Sequence, residues 1–395
     1  MTVQKFTAIE SDTKKVIVFL IRSLGLGGAE RQLLLAASGL AKLGHSVTII
    51  TFYQGVELEY SKELLQADTL SIISLGKRGR WYMFVFVSNY LRHIKAIKPD
   101  IVYSFMNTAS LLALSSHWFD RKIKLVWGVR SSNMMLSDYD WTAKVLRRIE
   151  SYFSKRADCI ISNSYAGMRQ AIEDGFSGRN LCVVPNGIDT TQFKRDPKVR
   201  RLLRERYSLA DDDLLIGVVA RHDPMKGLDT IITAFAGLLD KGQNYKLMIV
   251  GSGSESYTRK LHDLAVQYAV NDNILWVSKT TDVADYYSMF DIYTSGSRYG
   301  EGFSNTIAEA MASELVCIVT SVGDAKEIVG CEGIIIPADS QGALIEAWLT
   351  VGGQSSSTRQ DMGKEARARV LSLYTVEAMI SRTAGLLALL DKSKN

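Results

Sequence analysis

The chain alternates short, unbroken apolar stretches with segments of helical periodicity, and it does so twice. Val16–Ile21, Val47–Thr51, Ile101–Phe105, Ile123–Val129, Cys159–Ser162 and Leu181–Val184 read as a first set of strands. Between them Ala29–Leu43, Trp81–Ile97, Trp141–Arg156 and Tyr165–Glu173 read as helices. Strands that are apolar throughout must be buried on both faces, which points to parallel sheets with helices above and below. After Pro185-Asn186-Gly187-Ile188-Asp189 the pattern restarts. Leu214–Ala220, Leu247–Val250, Ile274–Val277, Ile292–Thr294, Val316–Thr320 and Ile334–Ile336 form the second strand set. Its helices include Gly227–Asp240, Tyr257–Tyr268, Asp282–Phe290 and Thr306–Ala312. The expectation is α/β: two tandem doubly wound, Rossmann-like domains facing across a cleft, over residues 1–185 and 186–375, with an amphipathic helix from Val376 onward. Ligands of such sheets bind outside the carboxyl ends of the strands.

Two domains also suit 395 residues. With 47% hydrophobic and 23% charged residues, the composition excludes a disordered or collagen-like chain. No apolar run approaches the ~18 residues of a spanning helix. Met1–Lys15 carries Lys5, Glu10 and Asp12 without an apolar core, so no signal peptide is read there. Cys159, Cys182, Cys317 and Cys331 form no CxxC pair and read as reduced thiols, so a cytoplasmic protein is expected. The net charge of +5 is uneven: through Thr190 there are 24 Lys and Arg against 16 Asp and Glu, and beyond it 23 against 26. A basic first half and a slightly acidic second half suit different partners; drift between two solvated surfaces would look the same.

Three clusters carry chemistry. Gly25-Leu26-Gly27-Gly28-Ala29-Glu30-Arg31 follows the first strand and opens the first helix. It reads either as an anion site at a helix N-terminus or as a turn that packs helix on strand. Glu30 stands where the dinucleotide fingerprint needs a third glycine. Arg221-His222-Asp223-Pro224-Met225-Lys226-Gly227 follows the first strand of the second domain. Its Arg fork and Lys point charge can clamp a diphosphate, or can be two solvated cations around the turn residues His222 and Asp223.

Gly300-Glu301-Gly302-Phe303-Ser304-Asn305-Thr306-Ile307-Ala308-Glu309 is the most specific cluster, with a helix expected to begin near Phe303. The amides of Gly302 to Asn305 would face an anion. Glu301 and Glu309, too far apart for an acid–base dyad, would each hold sugar hydroxyls, which describes a nucleotide sugar. A capped helix with an exposed Glu is the weaker reading. Val250-Gly251-Ser252-Gly253 would border the nucleotide, and Lys279 and Thr280 would lie near its base. No His, Asp, Glu or Cys set has metal-ligand spacing, and there is no Ser/His/Asp signature or Walker loop.

In their order and placement these clusters resemble the family 4 retaining glycosyltransferases of the GT-B fold, over nearly the whole chain. Asn186-Gly187-Ile188-Asp189 is similar to that family's linker motif. The resemblance implies that Arg221 and Lys226 bind the donor diphosphate and stabilise the leaving group. Glu301 would contact the transferred sugar and Glu309 the ribose. Gly27, Gly28, Gly251, Lys279, Gly302, Phe303, Ser304 and Asn305 would complete the donor site. Transfer would need no metal and no cofactor beyond the donor co-substrate, and helix 376–392 would pack back on the first domain. Two positions depart from the family pattern. Arg130-Ser131-Ser132-Asn133 stands where many members have a His against the donor sugar, so Arg130 would take over a hydroxyl or phosphate contact. Ser278 replaces a usual Gly.

The expected activity is transfer of a hexosyl or N-acetylhexosaminyl group from a nucleoside-diphosphate sugar, UDP favoured, to a lipid-linked or growing polysaccharide acceptor. A non-catalytic nucleotide-sugar-binding partner subunit and a nucleotide-sugar epimerase are the alternatives, and no nucleic acid is expected. Lys77-Arg78-Gly79-Arg80 before Trp81-Tyr82-Met83-Phe84 suits peripheral contact with an anionic membrane on its inner face. Equally, Trp81–Val87 can be the buried face of a core helix.

Overall fold

The structure is a computed structural model that describes residues 14–25, 27–53, 69–77, 83–105, 107–130, 141–210, 212–242 and 244–392. Its contacts divide the chain into one unit of Met1–Gly187 with Val376–Asn395, and a second of Ile188–Thr375.

The first unit runs β1 (Val16–Ile21), α1 (Gly28–Lys42), β2 (Ser46–Thr51), β3 (Leu70–Ser74), α2 (Met83–Ile97), β4 (Ile101–Phe105), α3 (Asn107–Leu114), β5 (Lys124–Val129), α4 (Trp141–Phe153), β6 (Cys159–Ser162), α5 (Tyr165–Glu173) and β7 (Leu181–Val183). All seven strands are parallel, in the order β3-β2-β1-β4-β5-β6-β7. Successive side chains point to opposite faces. Ile17, Phe19 and Ile21 therefore enter one apolar layer with α1, while Val18 and Leu20 enter another with Phe86, Tyr90 and Ile94 of α2. This two-sided burial is the property read from the unbroken apolar runs. Ser164 caps α5 by accepting from the Gly167 amide at 2.9 Å.

The second unit repeats the scheme: α6 (Pro197–Arg206), β8 (Leu214–Val219), α7 (Leu228–Leu239), β9 (Tyr245–Val250), α8 (Glu255–Gln267), β10 (Ile274–Val277), α9 (Val283–Met289), β11 (Ile292–Ser295), α10 (Asn305–Ala312), β12 (Val316–Thr320), α11 (Ala325–Val329), β13 (Ile334–Ile336), α12 (Gln341–Gly352) and α13 (Ser356–Leu373). Its six parallel strands run β10-β9-β8-β11-β12-β13. In each sheet the order reverses beside the first strand, at β1/β4 and at β8/β11, which is where such folds bind ligands. The last helix, α14 (Val376–Lys392), belongs to the first unit: Met379, Leu386, Leu387 and Leu390 join the layer under α1. A bidentate amide contact ties the unit's linker end to α1, where Gln32 donates to the Gly187 carbonyl at 2.8 Å and accepts from its amide at 2.9 Å.

Several elements lie outside the sequence reading. Strand β3 is a half-buried edge strand, and α13 buries only Gly363, Ala366 and Val370, so neither leaves a strong apolar period. The helix of the third cluster starts at Asn305 rather than near Phe303: Phe303 is drawn into the core, its ring 5.2 Å from that of Tyr374, and Ser304 stays extended as the N-cap. Among the described residues no helix is long and apolar enough to cross a membrane. Of the basic-aromatic stretch, Arg78 to Tyr82 lie outside the described residues. At the start of α2, Phe84 and Val85 are exposed while Phe86 is core, so the expected buried face holds for Phe86 and not for its two neighbours.

Glu150 on α4 is fully buried, and neither of its oxygens accepts a hydrogen bond from the described residues. Burial pushes its carboxyl up to about 7, against the opposing pull of Arg147 at 3.9 Å. The folded chain therefore holds the proton at pH values where the unfolded chain releases it. The associated stability is complete below the ordinary carboxyl value and is lost as pH rises through 7. Glu150→Gln is expected to raise the unfolding temperature of the first unit at pH ~8 by at least ~2 °C, with the gain shrinking towards pH ~5; calorimetric melts at both pH values check this.

Candidate functional site

The residues that can act on a ligand collect in the second unit, at the carboxyl ends of the adjacent strands β8 and β11. Beyond β8, Asp223 turns the chain by accepting from the Met225 amide at 3.0 Å, and Pro224–Lys226 form one turn of 3-10 helix. Gly227 ends that turn at φ +60°, and a Cβ there would lie 2.2 Å from the Gly296 carbonyl oxygen. Only glycine allows the two loops to approach so closely.

This approach brings Lys226 to Glu301. Its ammonium donates to Glu301 Oε1, which also accepts from Ser297 Oγ at 2.7 Å. Both charged side chains are largely shielded, at 18% and 12% exposure. A second staple comes from Arg298: its amide donates to the Met225 carbonyl at 2.8 Å, and its guanidinium reaches Asp229 at 2.9 Å, Thr230 at 2.8 Å and Asp339. The loop that carries Lys226 is thus held from both sides.

Arg221 differs. Its side chain is 70% exposed and meets only its own turn, with Met225 Sδ at 3.7 Å and Asp223 at 3.8 Å. The adjacent His222 is no passive turn residue. It is buried, its Nδ1 lies 2.9 Å from Thr258 Oγ1, and its amide donates to the Ser252 carbonyl at 3.0 Å. Gly251, at φ +152°, passes so close to β8 that a Cβ would fall 1.8 Å from the Ala220 carbonyl oxygen. Lys279 is exposed, and its amide donates to Ser252 Oγ at 2.9 Å.

On α10, Glu309 is buried and accepts from the Tyr287 hydroxyl at 3.1 Å. Gly302 accepts from the Asp324 amide at 3.1 Å, and Ser304 Oγ lies 3.3 Å from Thr306 Oγ1 without capping the helix. Phe303 is a core side chain at 6% exposure, which leaves its backbone amide as the part that the expected donor site would use. Its backbone remains part of the loop.

Gly27, Gly28 and Arg130 belong to the first unit. Gly27 is the N-cap of α1 and Gly28 its first residue; Leu26 lies outside the described residues. A Cβ at Gly27 would fall 2.1 Å from Glu30 Oε2, so that carboxylate folds back over the helix N-terminus. It complements the helix dipole where an anionic ligand would otherwise do so. Arg130 donates to the Tyr103 hydroxyl at 3.0 Å and to Asn186 Oδ1 at 3.3 Å, and its guanidinium lies 4.1 Å from the Phe105 ring centroid. Ser131 to Asn133 lie outside the described residues.

Sequence reasoning assigned Lys226 and Glu301 separate tasks and missed their pairing, along with Ser297, Arg298 and Tyr287. The signal for Ser297 and Arg298 was faint: a Ser and an Arg just before Gly300-Glu301, at the end of an expected strand.

Two cations and two carboxylates thus gather around the switch point of a Rossmann-like sheet. Residues 26–192 match the family described as Glycosyltransferase Family 4, and residues 199–369 match Glycosyl transferases group 1. The chain belongs to these glycosyltransferases. It is 28% identical over 172 residues to the lipopolysaccharide core biosynthesis mannosyltransferase LpsB of Rhizobium meliloti, covering 42% of this chain and 48% of that protein. The chain therefore spans about half of LpsB. With the capsular polysaccharide biosynthesis glycosyltransferase CapM of Staphylococcus aureus it shares 29% over 291 residues, 70% of this chain and 73% of that one. The crystal structure of Anabaena Alr3699/HepE in complex with UDP-glucose superposes with a TM-score of 0.82 at 19% identity, covering 95% of this chain and 100% of that one. At such identity the likeness is one of fold, and the fold is of the GT-B class.

Burial, and then the charge of His262, push the His222 imidazole below its ordinary value of 6.5. The unfolded chain takes up this proton at a higher pH than the folded one. The stability tied to His222 is therefore complete above about 6.5 and is lost as pH falls below it. The second unit is expected to melt lower at pH ~5.5 than at pH ~7.5, and His222→Gln to flatten that slope in differential scanning calorimetry.

Proposed function

We propose that the chain is a retaining glycosyltransferase that moves a hexosyl or N-acetylhexosaminyl group from a UDP-sugar to a lipid-linked or growing polysaccharide acceptor. The observation that carries this reading is the grouping of Arg221, Lys226 and Glu301 on two neighbouring strand ends, with Lys226 already paired to Glu301. Arg221, open to solvent, is free to close its planar fork on a diphosphate, while Lys226 supplies a point charge from a fixed position.

Charge builds on the diphosphate as the bond to the anomeric carbon breaks. Cations already in place stabilise it without reorganisation and do the work a metal would otherwise do. Glu301 orients the transferred sugar, and Glu309 holds the ribose. The acceptor hydroxyl attacks the same face of the sugar that the diphosphate leaves, and its proton passes to the departing phosphate oxygen. The names of CapM and LpsB support a cell-surface glycan as product, and the HepE complex supports UDP as the base. LpsB is named a mannosyltransferase, so GDP-sugars belong among the tested donors. Contact with an anionic membrane through Lys77 and the exposed Phe84 would bring the acceptor within reach.

Arg221→Ala and Lys226→Met are each expected to lower kcat by about 10²–10³; Arg221→Ala leaves the melting curve unchanged, whereas Lys226→Met, which strands the shielded Glu301 carboxylate, lowers it while the chain stays folded. Release of UDP from labelled donor, with and without extract lipids and with EDTA present, measures this. Unchanged turnover in both variants would overturn the reading, and sugar interconversion without acceptor would favour an epimerase. A panel of UDP-, GDP- and ADP-sugars scored by thermal stabilisation identifies the base.

A further inference from the structure

A cavity of about 520 Å³ opens in the first unit, below the amino ends of β1, β4 and β5. This is the edge opposite the one where strand ends carry ligands in such sheets. Lys15, Lys95, Lys98, Lys122 and Lys124 line it. They are separated by up to 109 positions in sequence, yet the sheet gathers them around one space.

Only two carboxylates share the lining, and both already serve the backbone. Asp100 accepts from the Val16 amide at 2.8 Å, and Asp120 from the Lys122 amide at 2.8 Å. Lys124 is paired with Asp158 at 2.9 Å. Lys95, Lys98 and Lys122 are exposed and form no ion pair among the described residues. Lys95 and Lys98, around the end of α2, also complement that helix's dipole; Lys122, in the turn before β5, has no such role. The five lysines outnumber the carboxylates of Asp100, Asp120 and Asp158 among the described residues, so a positive excess is focused into the concavity.

The floor of the cavity is apolar. Ile94, Ile123 and Leu390 are buried there, and Phe119 stands half exposed at the wall. A bare inorganic ion would use the rim and leave this floor idle. The volume is in the range of small-molecule sites. We propose that this cavity binds a phosphorylated ligand with an apolar body, the phosphate held by Lys95, Lys98 and Lys122 and the body lying against Ile94, Ile123 and Leu390. Such a ligand comes either from a phospholipid headgroup region or from a soluble organic phosphate. The site does not rest on the proposed transferase activity, because it lies in the other unit from Arg221 and Lys226.

The test is isothermal titration of the full chain, carrying Arg221→Ala and Lys226→Met to remove the donor-site cations. The probes are dihexanoylphosphatidylglycerol below its micelle concentration, phenyl phosphate, and dihexanoylphosphatidylcholine as the zwitterionic control. Binding of the phosphatidylglycerol alone assigns a lipid source; binding of phenyl phosphate as well assigns a soluble one. Either supports the site, provided that Lys95→Gln, Lys98→Gln and Lys122→Gln together weaken it at least ~10-fold, about 1.4 kcal/mol. The corresponding triple Arg variant should retain binding, and affinity should fall with added salt. No binding of either phosphate probe, equal binding of the zwitterion, or unchanged affinity in the triple Gln variant would overturn the proposal. Melting curves without ligand confirm that the variants fold.

Discussion

Parallel strands that are covered on both faces impose a polarity on everything else. Each connection must cross over the sheet, in most cases as a helix, so the loops that leave the strands emerge at one edge and those that enter them at the other. The loops beyond β8 and β11 therefore meet although Lys226 and Glu301 are 75 residues apart. The same rule collects the lysines before β1, β4 and β5 at the opposite edge. One physical requirement, the burial of both sheet faces, thus produces two chemically distinct edges from one chain.

At the carboxyl edge the Lys226–Glu301 pair is a functional arrangement more than a stabilising one. Removing two charges from water costs about as much as their attraction returns, unless further hydrogen bonds offset the loss. Ser297 supplies one such bond, and Arg298 holds the turn without touching the pair. The result is a cation held in place by its carboxylate partner. Arg221, outside this network, is 70% exposed. A held cation and an exposed one thus stand at the two ends of one short turn.

Much of this was legible because burial on both faces leaves unbroken apolar runs. Val16–Ile21, Ile274–Val277 and Val316–Thr320 end where the apolar residues end. The edge strand Leu70–Ser74 escaped since only partial burial is asked of it, and α13 because its seam is made of Gly363, Ala366 and Val370. Local turns were visible too, as in the one from Arg221 to Gly227. Pairings were not. No periodicity announces that Lys226 meets Glu301, that Glu30 folds over Gly27, or that Tyr287 supports Glu309. Phe303 illustrates the converse: a residue inside a specific motif whose side chain answers to the core rather than to the ligand.

The charge asymmetry of the two halves acquires a location from the same polarity. The basic excess of the first 190 residues was first attached to Lys77–Arg80, since that run is contiguous. There Lys77 sets its ammonium against aromatic rings, 5.1 Å from the Phe86 centroid, while Arg78 and Arg80 lie outside the described residues. Lys95, Lys98 and Lys122 are scattered in sequence yet share one concave surface and form no ion pair among the described residues. A cation on a convex, solvated face costs little and means little. Cations that a fold holds around a concavity repel one another continuously, and that cost persists in the absence of an anion. The second half, slightly acidic overall, places Arg221 and Lys226 together at one turn. In both units the telling charge is set by where the strands end, not by how many lysines the segment contains.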